Sequence, residues 1–144
     1  MRLTYFSDYA FRVLMYLAVT PDRRCTIREI SDAYDISRAH LMKVVNLLTR
    51  EGLVVAQRGP NGGLTLAMPP EDIRLGDVIR KTEEDLGIVE CFRPENRCRL
   101  TPSCALAPAL SRAMQAFLAE LDTQTIADLV RKPHAIRRLL KVTA

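Results

Sequence analysis

Apolar residues recur at three- and four-residue spacing through most of the chain and switch to alternation once, between residues 53 and 68. Phe6, Tyr9, Ala10, Val13, Leu14 and Leu17 form one stripe and predict a first helix over 4–20, closed by Pro21 and Asp22. Thr26 and Glu29 have capping-box spacing, and open a short helix with Ile27, Ile30 and Ala33 inward. After a tight connection at 34–36, Ser37 caps a third helix whose buried stripe is Leu41, Val44, Val45 and Leu48. Arg38, His40, Lys43 and Asn46 are left on its other faces, and Glu51-Gly52 ends it. Residues 53–58 and 64–68 then read as strands around Gly59, Pro60, Asn61, Gly62 and Gly63, with Leu64, Leu66 and Met68 on the core face.

The second half is less regular. Residues 69–72 mark a boundary, and Leu75, Val78 and Ile79 line a short helix. A helix over roughly 105–121 carries Leu106, Leu110, Met114, Phe117, Leu118 and Leu121 in one long stripe. Alanines beside it (Ala105, Ala109, Ala113, Ala116) keep its flanks slim enough for close helix–helix approach. A small winged helix has little else to cover so long a stripe, so these six large residues are the expected dimerisation surface. Residues 124–144 predict one more helix around Ile126, Leu129 and Val130, then a basic, frayed tail interrupted by Pro133.

The resulting fold class is mainly α with a small β-hairpin: a winged helix-turn-helix followed by a long C-terminal dimerisation helix. Three regions follow: a DNA-binding part over 1–70, a short helix and cysteine loop over 71–104, and the dimerisation helix with its tail over 105–144. A capped short helix, a brief turn and a helix exposing basic residues form a nucleic-acid-reading pair. The glycine-rich hairpin behind it supplies the wing. Ser37, Arg38, His40 and Lys43 of the third helix, with Arg58 and Asn61 of the wing, are the expected contacts to double-stranded DNA. Charge agrees with this placement. Residues 1–70 hold nine Lys/Arg against six acids, 71–123 seven against ten, and 124–144 five against one.

At 144 residues, 48% apolar and 26% charged, the chain has the balance of an ordinary globular protein. No apolar run approaches the roughly 18 residues of a membrane span, and the first residues lack a signal-peptide pattern, so the expected compartment is the cytoplasm. Thiols stay reduced there, which matters for Cys91, Cys98 and Cys104. These three sit on a loop with Pro94, Pro102, Arg93, Arg97 and Arg99 that can neither form a regular helix nor bury a core. A metal or iron–sulfur site, a redox-active disulfide and chance remain open from the residues alone; zinc is the chief metal rival, although the loop has no Cys-x-x-Cys knuckle. Cys25, just before the Thr26 cap, reads as a small buried hydrophobe. Asp8 reads, on its helix alone, as a first-turn acid paired with Arg12. His40 and His134 have no evident cysteine partner and no phosphate loop or HExxH motif occurs, so no enzyme is expected.

With its recognition-type helix, the wing from Arg58 to Leu66 and three spaced cysteines before a long helix, the chain resembles the Rrf family of bacterial winged-helix regulators. The likeness runs from Ser7-Asp8-Tyr9-Ala10 to the helix after Cys104, and the cysteines are similar to those of its cluster-binding members. In the IscR-like branch a histidine three residues after the last cysteine completes a 2Fe–2S site; this chain has Ala107 there. In the nitric-oxide-sensitive, NsrR-like branch the fourth ligand is instead an aspartate of the first helix, supplied by the partner subunit, and Asp8 matches it. The first cysteine gap, six residues, is longer than is common among these relatives. The resemblance thus implies Cys91, Cys98, Cys104 and Asp8 as ligands of a 4Fe–4S cluster, with 2Fe–2S as the alternative. It further implies a homodimeric repressor on an inverted-repeat operator, released by nitric oxide.

Overall fold

The structure, a computed structural model, describes residues 3–142. Helix α1 (Tyr5–Ala18) starts at Thr4, whose hydroxyl accepts from the Ser7 amide. Helix α2 (Ile27–Tyr34) has the expected reciprocal cap: the Glu29 amide donates to the Thr26 hydroxyl, and the Thr26 amide donates to the Glu29 carboxylate at 2.6 Å. Asp35 closes the turn in the left-handed region at φ 53°, a conformation that a short polar side chain tolerates. Ser37 then caps α3 (Arg38–Arg50). The stripe Leu41, Val44, Val45 and Leu48 is buried against Ala10, Val13, Leu14 and Leu17 of α1 and Ile30 of α2.

Strands β1 (Val54–Gln57) and β2 (Gly63–Leu66) pair antiparallel, with Val54 opposite Leu66 and Gln57 opposite Gly63. Gly59 (φ 107°) and Gly63 (φ 152°) take the positive dihedrals of the turn. Gly62 is needed for space instead, since a Cβ there would lie 2.4 Å from the Gln57 carbonyl oxygen. Leu64 points into the core and Leu66 is half-buried. Met68 corrects the expected alternation: it lies past the end of β2 and is exposed. A single rung on the other edge of β2 is added by Cys25, which exchanges both backbone hydrogen bonds with Leu64 (3.0 and 2.8 Å) and fastens the hairpin to the start of α2.

A 3₁₀ turn at Pro70–Asp72 leads into α4 (Leu75–Thr82), the cysteine loop, and α5 (Leu106–Asp122). The C-terminal part departs from the expected single helix and frayed tail. Thr125 and Asp128 form a second capping box at the head of α6 (Ile126–Leu129), and Pro133 begins α7 (Pro133–Leu139). Proline fits the first turn of a helix, where no amide is required. The tail is also docked. The Arg137 guanidinium donates to the Val19 carbonyl at the end of α1, and Leu140 and Val142 pack on the core.

This return of the chain means that the core does not respect the boundary at residue 70. Ile73, Leu75, Val78 and Ile126 are in the same buried cluster as Leu14 and Leu48. Ile126 donates its amide to the Ile73 carbonyl at 2.9 Å. Ile126→Ala is therefore expected to lower unfolding free energy by about 2–5 kcal/mol, the usual range for emptying a filled core site. Urea unfolding followed on the α1–α3 helical signal is the check. A change under about 0.5 kcal/mol, typical of surface sites, would show that α6 merely rests on the winged helix.

Candidate nucleic-acid interface and cysteine loop

The side of α3 opposite its buried stripe carries Ala39, Lys43, Asn46 and Arg50, all exposed, with Arg38 and Met42 on one flank and His40 on the other. Ser37, Arg38, His40 and Lys43, singled out above, thus share the solvent side of the helix. His40 is held by α1, its ring 6.3 Å from that of Tyr9. Lys43 and His40 also border a cleft of about 300 Å³ with Tyr5, Phe6 and Tyr9. The exposed Met42, flanked by Arg38 and Asn46 one turn away on either side, was not singled out; an apolar side chain on this face suits a thymine methyl in a major groove.

Arg58 and Asn61 both stand exposed at the wing. The Asn61 carbonyl accepts from the exposed Arg24 guanidinium at 3.4 Å, so Arg24 joins the basic surface of the wing. Sequence reasoning missed Arg24 because only the Cys25–Leu64 rung brings it there.

The loop between α4 and α5 has local order. Glu90 accepts from the Arg97 amide (2.9 Å), and Asn96 accepts from the Cys98 amide and donates to the Thr101 hydroxyl (2.9 Å each). Arg93 pairs with Asp85 at 2.8 Å. Glu90 and Asn96 therefore shape the segment that displays the thiols. Cys91, Cys98 and Cys104 are all unpaired, the first and last half-buried and Cys98 exposed. Among the described residues, the single chain does not gather three or more Cys, His, Asp or Glu side chains into a metal-holding group.

Asp8 stands half-exposed in the first turn of α1. Its carboxylate is gripped by Arg12 through two hydrogen bonds of 3.2 and 2.7 Å, and that guanidinium lies 5.8 Å from the Tyr9 ring and 5.8 Å from the Tyr34 ring. Cys25 is buried, its Sγ 3.0 Å from the Thr20 hydroxyl, and burial pushes its thiol above the usual range despite that hydrogen bond. A thiol kept protonated is a poor ligand, which agrees with its reading as a core residue.

The N-terminus of α1 is latched to the end of α4. The Thr4 amide (2.8 Å), the Thr4 hydroxyl (2.9 Å) and the Ser7 hydroxyl all donate to Glu83 Oε1, and Ser7 Oγ also meets Thr82 Oγ1 at 2.7 Å. The helix that carries Asp8 is thus fixed to the strand of chain entering the cysteine loop.

The six large residues of α5 divide. Met114 and Phe117 face Leu3, Leu86 and Ile88 of their own chain around a cavity of about 270 Å³, and Leu121 packs on the core. Leu110 and Leu118 are half-buried, and Leu106 is exposed together with Ala109, Ala113 and Ala116. No residue of this 17-residue helix is fully buried. Among the described residues, no helix is long and apolar enough to cross a membrane.

The same architecture recurs in known regulators. A family model described as Rrf2, "Iron-dependent Transcriptional regulator", matches residues 3–132. A putative transcriptional regulator from Listeria innocua superposes with TM-score 0.75 at 28% identity, covering 92% of this chain and 88% of its own. CymR of B. subtilis, described as its global cysteine regulator, gives TM-score 0.72 at 25% identity, covering 91% and 97%. IscR of T. potens gives 0.74 at 23% identity, covering 91% and 87%, a likeness of fold. The chain belongs to the Rrf2 family of transcriptional regulators.

Proposed function

We propose that the chain is a homodimeric repressor that binds an inverted-repeat operator when an iron–sulfur cluster is held by Cys91, Cys98, Cys104 and the partner's copy of the first-helix aspartate, and that nitric oxide releases it. The observation that carries this reading is the donor set itself. Three free thiols are carried on a loop with no fully buried residue, Ala107 stands where a histidine would otherwise serve, and Asp8 is a half-exposed carboxylate. Thiolates with one oxygen donor fit a 4Fe–4S cube better than a closed zinc site of paired knuckles. When bound, such a cluster supplies an iron on a replaceable oxygen ligand, open to a diatomic such as nitric oxide.

The chain's own residues carry the rest. In one chain Asp8 is neutralised by Arg12, so engaging a site on the other subunit exchanges one partner for another. The loop is continuous with α5 on one side and, through Glu83, latched to α1 on the other. A carboxylate that leaves the partner's loop therefore acts on the helix packed beneath α3. Cytoplasmic residence goes with this reading, since reduced thiols are required.

Metal analysis of anaerobically purified protein tests it. Brown protein with about three or four irons and matching acid-labile sulfide per chain is expected of a 4Fe–4S site. Colourless protein with stoichiometric zinc contradicts it. A second reading is favoured by the three free thiols and by the fold shared with a cysteine regulator: a cluster-free thiol–disulfide switch. Colourless, metal-free protein whose operator binding is lost on mild oxidation and restored by a dithiol would establish that alternative. Two irons with two sulfides would support the 2Fe–2S variant.

A further inference from the structure

Helix α5 meets its own chain's loop through Met114 and Phe117 in its middle, and its polar anchors lie at one end. Its C-terminal end is fixed to the winged helix by backbone and side chain together. The Leu75 amide donates to the Gln124 carbonyl at 3.0 Å, Arg74 bridges Thr125, and the Ile126 amide donates to Ile73. Just inside these, Arg80 of α4 grips Asp122 of α5 with a two-pronged fork of 2.6 and 2.7 Å. The fork is backed by Gly76, where a Cβ would lie 1.9 Å from Asp122 Oδ1, so the carboxylate sits directly on the α4 backbone. The Arg80 guanidinium holds the Asp122 carboxyl below its usual range. The other end of α5 is different. Leu106, Ala109 and Ala113 are exposed there, and Cys104 lies two residues before the helix begins.

A 17-residue helix is about 25 Å long, so a tilt of about 10° at the fork moves the free end by about 4 Å. A bidentate Arg–carboxylate pair sets an angle as well as a distance, because both planes are fixed. We propose that the Arg80–Asp122 fork, seated on Gly76, is the positioning element that sets the angle of α5 to the winged helix and thereby the spacing between the two recognition helices of the dimer. This rests on the reading of α5 as the dimer helix and not on the cluster. As a partly exposed pair, the fork adds little to stability, so its effect is geometric.

The test uses full-length, anaerobically purified protein. The probes are duplexes with two copies of the half-site that the wild-type chain selects from a random pool, separated by spacers changed one base pair at a time. Wild type should show one sharp spacing optimum, since half-site separation is a rigid property of the dimer. Arg80→Ala and Asp122→Asn should flatten or shift that optimum and lose about tenfold at the wild-type spacing, with single half-site affinity within about twofold and the dimer intact by sedimentation. Asp122→Asn keeps the side-chain shape and carries the test if Arg80→Ala does not fold. An unchanged spacing profile, or a loss equal at every spacing and on the half-site, overturns the inference. Wild type that sediments as a monomer overturns it together with the dimer reading; a wild-type dimer with an unaltered variant profile removes the fork's role alone.

Discussion

Cys98→Ser should yield a folded dimer that retains no stable iron and binds the operator about tenfold or more weakly than iron-loaded wild type, a difference of about 1.4 kcal/mol or more. Cys98 is exposed and makes no core contact, so serine should leave far-UV circular dichroism and the unfolding midpoint unchanged. Its thiolate, however, has no substitute. Serine's hydroxyl stays protonated near neutrality and is a far weaker ligand for iron. Cys25→Ala is the matching control. It should keep its iron and lose stability instead, by about 1 kcal/mol, because a buried side chain and its contact with Thr20 are removed. Iron content and operator affinity measured on both proteins separate a ligand from a core residue. Iron retention by Cys98→Ser would remove Cys98 from the site.

The second large effect concerns assembly. Ala113→Glu places a charge in the middle of the exposed row Ala109, Ala113, Ala116, where close approach of a second α5 is expected. A helix tolerates glutamate at an exposed position at little cost, so the monomer should fold normally. Burying that carboxylate in an interface without a partner would be expensive, and the dimer should be lost at micromolar concentration. Affinity for the inverted repeat should then fall by about 100-fold or more, since two half-sites bound by one linked dimer gain that much over two separate encounters. Sedimentation and operator binding provide the check, with single half-site affinity unchanged. A dimer that survives the substitution would move the interface to another face.

The pattern of what could be read from the chain follows the range of each interaction. The first three helices were legible because their signals are local: a cap with its partner three residues on, and apolar residues at helical spacing. Those same signals placed Arg38, His40 and Lys43 on one open side of α3. The Arg80–Asp122 fork joins residues 42 apart and the Thr4–Glu83 latch residues 79 apart, and neither has a local signature. The Cys25–Leu64 rung, which brings Arg24 to the wing, is equally silent in the sequence.

The C-terminal segment illustrates a different cause. Pro133 reads as a breaker, yet it occupies the first turn of α7. The Thr125 cap has aspartate rather than glutamate at its third position; the Arg131 guanidinium and the Thr125 amide hold that Asp128 carboxyl down to about 2. The stripe on α5 was legible as apolar, but its division between the chain's own loop and an outer face depends on where Leu3, Leu86 and Ile88 fold back. The proposed ligand set is the extreme case. Three cysteines lie close together in sequence, at 91, 98 and 104, while Asp8 is far from them along the chain, on a helix where it pairs with Arg12.

On the proposed reading, the cysteine loop governs DNA binding through a nitric-oxide-sensitive cluster. The most direct measurement is operator affinity of anaerobic, iron-loaded protein before and after stoichiometric nitric oxide, with the absorption spectrum taken on the same samples. Tight binding with a brown cluster spectrum is expected, with loss of binding of about tenfold or more as that spectrum is bleached. Bleaching with unchanged operator affinity would contradict it.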